Sequence, residues 1–180
     1  VNTLVLDNKP DDENNYWNYN SPNIKAETGL AKITYLNDLV AHASAIPFLK
    51  SDEKIKIYGK NIHERGPIVV IGPGTGLGVS YGLYNYDQEK YYFHPSEAGN
   101  TLAAFADIKQ LEIMQKVLKI KRFIRSEEVI SGEGIYNIYE ALYGEKKSTE
   151  EIMKELGEGN QKSLTVYNAF CELLGVLARN

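Results

Sequence analysis

The residues with the plainest capacity for chemistry are four glycines, Gly72, Gly74, Gly76 and Gly78, alternating with Pro73, Thr75 and Leu77. Glycines this dense weaken a regular element, so positive φ or a close approach of backbone to a ligand must require them. The amides of such a turn, with the Thr75 hydroxyl, can face a phosphate. An ordinary hairpin with a bulge is the competing reading. The spacing is not that of a dinucleotide loop, which would have a glycine in place of Leu77. Nor is it a P-loop, which needs a lysine and a following helix. Asp38 is a second candidate, placed where residues 32–36 hand over to residues 39–46. A helix N-terminus there favours an ionised carboxylate, or uses the aspartate as N-cap. Glu97 and Asn100 put a carboxylate and an amide three residues apart within 95–101, an arrangement that by itself is unremarkable and usually marks a solvated turn.

Strands and helices must position these groups. Residues 68–71 are an unbroken β-branched run, which fits a strand buried on both faces. Val79, Tyr81 and Leu83 resume the apolar pattern at every second position, so the order is strand, glycine loop, strand. Further strands are expected at 1–7, 32–36, 54–58 and 91–93, with loop at 11–23 and a turn at 61–66. A helix over 39–46 is ended or kinked by Pro47, a possible hinge between lobes. A second helix, over 107–119, buries Ile108, Leu111, Met114 and Leu118. A third carries Ile135, Ile138, Tyr139 and Leu142 and closes at Gly144. Ser148 and Glu151 form the capping box of a short helix that stops at Gly157. The last helix, 161–179, buries Leu164, Tyr167, Phe170, Leu174 and Leu177.

The 180 residues, 43% of them hydrophobic, suffice for one large core or parts of two domains. A net charge of -4 argues against nucleic acid as partner. Lys116, Lys119, Lys121, Arg122 and Arg125 read as the solvated side of a helix and its exit. The single cysteine, Cys171, excludes an internal disulfide, and its apolar neighbours predict a buried thiol. His42, His63 and His94 lack metal-ligand spacing and read as structural. No membrane-spanning run or signal peptide is visible, which favours a cytoplasmic protein without a membrane partner.

Several blocks recur in one order: Leu36-Asn37-Asp38-Leu39 with Ala45-Ile46-Pro47, the run from Gly72 to Val79, Ser96 to Asn100, Glu127 to Gly134, and Phe170-Cys171. Together they resemble the bacterial and protozoan type of glucokinase, in the hexokinase–actin ATPase superfamily. The resemblance implies an α/β, actin-like (ribonuclease H-like) two-lobe fold lacking its N- and C-terminal segments. Residues 1–48 would end the small lobe, and 49–180 would form the large lobe with the phosphate hairpin and sugar loops. It implies ATP-dependent phosphorylation of glucose or a related hexose at the 6-hydroxyl, with ATP and Mg²⁺ as cofactors and a homodimer as one possible assembly. By position, Asp38 is the catalytic base, and Asn37, Glu97, Asn100 and Glu127 bind the sugar beside it. Gly74, Thr75, Gly76 and Gly78 face the ATP phosphates; no metal ligand is assigned. Asn100 stands where the family has histidine, which implies looser discrimination at one ring hydroxyl. The missing first phosphate loop and adenosine segment imply that these 180 residues alone do not transfer phosphate. The rival class is a non-catalytic sugar-binding or regulatory protein built on the same fold.

Overall fold

The computed structural model describes residues 3–6, 21–59 and 65–179. They fall into two compact units, the first drawn from 1–70 and 80–95, the second from 71–79 and 96–180. The fold is mixed α/β.

In the first unit β1 (Thr3–Leu6) pairs in parallel with β2 (Lys32–Tyr35), Thr3 opposite Lys32 and Leu6 opposite Tyr35. Parallel neighbours need a crossover connection, and α1 (Ser21–Thr28) lies within it. The expected loop therefore ends earlier than 23: Ser21, Pro22 and Asn23 open this helix, where proline is tolerated. Residues 11–20 of that loop lie outside the described residues, as do His63 and positions 61–64 of the expected turn. Helix α2 (Asp38–Ala45) stops before Pro47, which sits in a single 3₁₀ turn, Ile46–Phe48.

The strand expected at 54–58 does not form. No strand pairs with it among the described residues, and Ile55, Ile57 and Tyr58 stand fully exposed. A β-branched, alternating stretch becomes a strand only when a neighbour takes its backbone groups.

Strands β3 (Ile68–Pro73), β4 (Leu77–Asn85) and β5 (Lys90–Ser96) form a sheet in that order. Their links, 74–76 and 86–89, are short enough only for antiparallel neighbours. β3 is an edge strand with Val69 61% exposed, so it is not buried on both faces as its composition suggested. Along β4 the buried positions change parity: Leu77 and Val79 are buried, then Ser80 and Gly82, while Tyr81 and Leu83 are exposed. The change falls where the strand passes from the second unit to the first. Alternation thus identified the strand but not the face that each half buries.

The second unit holds α3 (Ile108–Val117), α4 (Gly132–Tyr143), α5 (Thr149–Gly157) and α6 (Gln161–Arg179). Its core includes Val117, Val129, Ile138, Ile152, Val166 and Leu173. The caps follow the sequence closely. Asp107 accepts from Gln110 N, Gly144 takes φ 69°, and Ser148 and Glu151 complete their capping box. Helix faces do not follow it. α3 buries Gln110, Met114 and Val117, leaving Ile108 67% exposed and Leu118 also exposed. α6 buries Ser163, Val166, Ala169 and Leu173, with Leu164 and Tyr167 outside and Phe170, Leu174 and Leu177 only partly covered. Small residues in the inner row of α6 permit close packing on α4 and α5, which turns the larger side chains to the flank. Cys171 shares that outer side and is exposed, not buried. No helix among the described residues is long and apolar enough to cross a membrane.

Candidate functional site

In the second unit, extended segments around Leu102 and Arg125 run antiparallel. Ala103 N donates to Ile124 O at 2.9 Å, and Ser126 N to Thr101 O at 2.8 Å. This pairing sets the loop carrying Glu97 and Asn100 beside the segment carrying Arg125, Glu127 and Glu128. The loop is a 3₁₀ turn, Ala98–Asn100, in which Asn100 N donates to Glu97 O at 2.9 Å. Gly99 is buried against the Leu77 carbonyl, so closely that a Cβ there would lie 2.1 Å from its oxygen. Only glycine permits that approach, and it fastens the loop to the start of β4, just past the glycine turn.

Side chains then link up. Asn100 Nδ2 donates to Glu97 Oε2 at 2.8 Å, and Arg125 Nη1 donates to Asn100 Oδ1 at 3.0 Å. The same Nη1 pairs with Glu127 Oε1 at 3.0 Å, while Nη2 reaches Glu128 Oε1 at 3.3 Å. The Arg125 amide donates to Glu128 Oε2 at 2.9 Å. The result is one polar chain, Glu97–Asn100–Arg125–Glu127, with Glu128 as a buried anchor. Arg125 was expected in a solvated basic face, and that expectation is corrected: its fork is turned onto carboxylates. Of that basic group, Lys121 also has a partner, Glu133 Oε1 at 2.7 Å. The hydrogen bond and charge of Lys121 hold the Glu133 carboxyl below its ordinary value.

The glycine turn reaches the same place. Gly74 N donates to Gly76 O at 2.9 Å across the tip, and Gly132 N donates to Gly74 O at 2.8 Å. The turn is therefore bolted to the first residue of α4, whose N-cap Ser131 also donates to Glu127 O at 2.5 Å. A Cβ on Gly76 would lie 3.4 Å from Glu127 Oε2, and one on Gly74 would meet nothing within 4 Å. Neither glycine has positive φ. Packing within the chain thus does not demand glycine at 74 or 76, and the space before Gly74 suits a group that approaches the backbone. Thr75 is exposed at the tip and Gly78 lies just inside β4.

Asn37 and Asp38 belong to the first unit. Asn37, not Asp38, is the N-cap of α2: its Oδ1 accepts from Val40 N at 3.3 Å. Asp38 is the first helical residue, exposed, with Oδ1 accepting from Leu39 N at 2.7 Å. The buried Ser80 hydroxyl donates to Leu39 O at 2.9 Å and fixes this helix start to β4.

Sequence reasoning therefore named Glu97, Asn100, Glu127 and the glycine turn, which the second unit brings together, but missed Arg125, Glu128 and Ser131. An arginine directly before Ser-Glu-Glu was the available signal. His42 and His94 are exposed, His94 beside the Tyr81 ring at 5.4 Å. No cluster of three or more His, Cys, Asp or Glu among the described residues could hold a metal ion.

The glucokinase family model matches residues 1–180. The glucokinase of Colwellia psychrerythraea is 32% identical over 179 residues, covering 91% of this chain and 53% of that protein. The crystal structure of a glucokinase from an Antarctic psychrotroph matches with TM-score 0.78 at 24% identity, over 87% of this chain and 50% of that one. That of Balamuthia mandrillaris glucokinase, solved in complex with glucose, matches with TM-score 0.65 at 18% identity, over 83% and 48%. The chain spans about half the length of the curated relatives it matches. With its fold shared and its whole length matched by the family model, the chain belongs to the glucokinase family.

Proposed function

We propose that this chain carries the catalytic base, sugar site and phosphate turn of a kinase that phosphorylates glucose or a related hexose at the 6-hydroxyl. The observation that carries the reading is the joining of an open glycine turn to Glu127, and of Glu127 through Arg125 and Asn100 to Glu97. Ionised carboxylates accept from neighbouring ring hydroxyls and so orient a sugar. Glu97 Oε1 and Glu127 Oε2 have no donor among the described residues and are available for that purpose.

The residues present also fit a nucleotide's phosphates. The Thr75 and Gly76 amides donate no backbone hydrogen bond among the described residues, and Gly74 opens onto empty space. Gly74, Thr75, Gly76 and Gly78 would hold the phosphates through amides and the Thr75 hydroxyl. ATP with Mg²⁺ would supply the transferable phosphoryl group and neutralise its charge. Asp38, exposed at the head of α2, would orient the 6-hydroxyl and accept its proton, with Asn37 Nδ2 donating to an adjacent hydroxyl. Within an actin-like ATPase fold, residues 1–48 would end the small lobe and 49–180 belong to the large one. The proposed compartment is the cytoplasm.

The test is glucose 6-phosphate formation by the intact protein with MgATP, alongside a direct glucose titration. Saturable glucose binding with turnover supports the kinase. Binding without turnover supports a non-catalytic sugar-binding protein instead, and absence of both overturns the sugar site.

A further inference from the structure

We infer that Arg125 is a positioning residue that locks the Asn100 amide in one orientation and so sets the sugar selectivity of the site; this rests on the sugar-kinase reading. Asn100 lies between a group that can only donate and a group that can only accept. Its Oδ1 meets the Arg125 guanidinium at 3.0 Å, and its Nδ2 meets the Glu97 carboxylate at 2.8 Å. Rotating the amide by half a turn would set oxygen against carboxylate and N–H against guanidinium, losing both bonds at once. The orientation is therefore dictated by chemistry, and Arg125 supplies half of it.

Arg125 is itself held. Glu127 Oε1 at 3.0 Å and Glu128 Oε1 at 3.3 Å grip two nitrogens, and the Phe123 ring centroid lies 5.7 Å from the guanidinium carbon. Its Nε is buried without a partner, so position comes from the fork alone. A planar fork makes these contacts together; an ammonium group does not. Each carboxylate then has one oxygen committed and one presented: Glu97 commits Oε2, Glu127 commits Oε1. A sugar hydroxyl beside Asn100 meets a fixed N–H donor between two fixed acceptors. Discrimination between sugars epimeric at one ring carbon follows from that fixed pattern, because the wrong epimer leaves a polar group unpaired.

The experiment compares kcat and KM for glucose and mannose in the intact protein and its Arg125→Met, Arg125→Lys, Asn100→Ala and Arg125→Met/Asn100→Ala variants, with thermal unfolding as a check of folding. Arg125→Met is expected to raise the glucose KM roughly tenfold, the scale of one hydrogen bond to a charged group. The kcat/KM preference between the two sugars should fall toward one, and the KM for ATP should hold. Arg125→Lys, the milder change, should keep the fold but not restore the preference. Asn100→Ala should lose the same preference, and adding Arg125→Met should move it no further. Unchanged preference in Arg125→Met, full rescue by Arg125→Lys, or additive losses in the double variant would each overturn the inference while leaving the kinase intact. A wild-type protein that neither binds nor phosphorylates glucose would overturn the sugar reading and this inference with it.

Discussion

Asp38 and Glu127 are both candidate carboxylates, one in each unit, and each unit holds its own by different means. In the first unit Asp38 is placed by a helix end: the cap of Asn37 on Val40 N and the bond from Ser80 to Leu39 O set the start of α2, and the carboxylate projects into solvent. In the second unit Glu127 is placed by its neighbours. Arg125 takes one oxygen, Ser131 takes its carbonyl, and the glycine turn lies against the other oxygen. The difference teaches where function and stability separate. An exposed group on a rigid helix end can change without disturbing the fold, whereas a member of an interlocked network cannot.

The largest expected effect sharpens this contrast. Asp38→Ala should lower turnover by roughly 10²–10⁴-fold, typical of a lost general base, with the thermal midpoint nearly unchanged because surface substitutions cost within about 0.5 kcal/mol. Steady-state kinetics with a melting curve measure both; a large stability loss would break the comparison. Next comes Gly99→Ala, whose added carbon must displace the Leu77 carbonyl. It should destabilise by about 1–3 kcal/mol, the usual cost of overpacking, and weaken glucose binding in step. Denaturant unfolding beside a glucose titration would show whether the two losses move together.

A third pair of variants tests the coupling inside the second unit. Gly74→Val enters open space and should weaken ATP binding roughly tenfold, as for one charge-assisted contact, while sparing glucose. Gly76→Val presses toward Glu127 Oε2 and should weaken both ligands. Separate titrations that gave equal losses for Gly74→Val would mean that the turn acts only as a structural hairpin.

The smallest effect is with pH. The Ser148 backbone N–H lowers the Glu151 carboxyl, and the Lys147 hydrogen bond lowers that of Glu155, both from an ordinary value of 4.5. Folded values below unfolded ones mean that their stabilisation is complete above about pH 4.5 and is lost as pH falls through the lowered values. Amide exchange in α5 should therefore quicken below pH 4.5, when compared after correction for intrinsic rates. Equal quickening in α1, which has no acidic residue in its first turn, would remove this distinction between the units.

What the sequence alone determined is what local hydrogen bonding and backbone sterics determine. The Ser148–Glu151 box, the left-handed Gly144 and the strand–glycine–strand hairpin needed no distant partner, and each forms where its residues place it. The candidates Glu97, Asn100 and Glu127 were legible through the resemblance, as residue types in ordered blocks. What the tertiary structure decided is whatever depends on a neighbour from elsewhere in the chain. Ile55 and Ile57 have strand composition but no strand beside them among the described residues, so they remain unpaired. On α6 two adjacent rows are apolar, and close packing against α4 and α5 selected the row with Ser163 and Ala169. Arg125 reads as one more surface cation until residues 101–103 pair with 124–126. Only that long-range pairing brings Asn100 within reach of its guanidinium, because a side chain's partners are set by the backbone beside it in space and not by its neighbours in sequence.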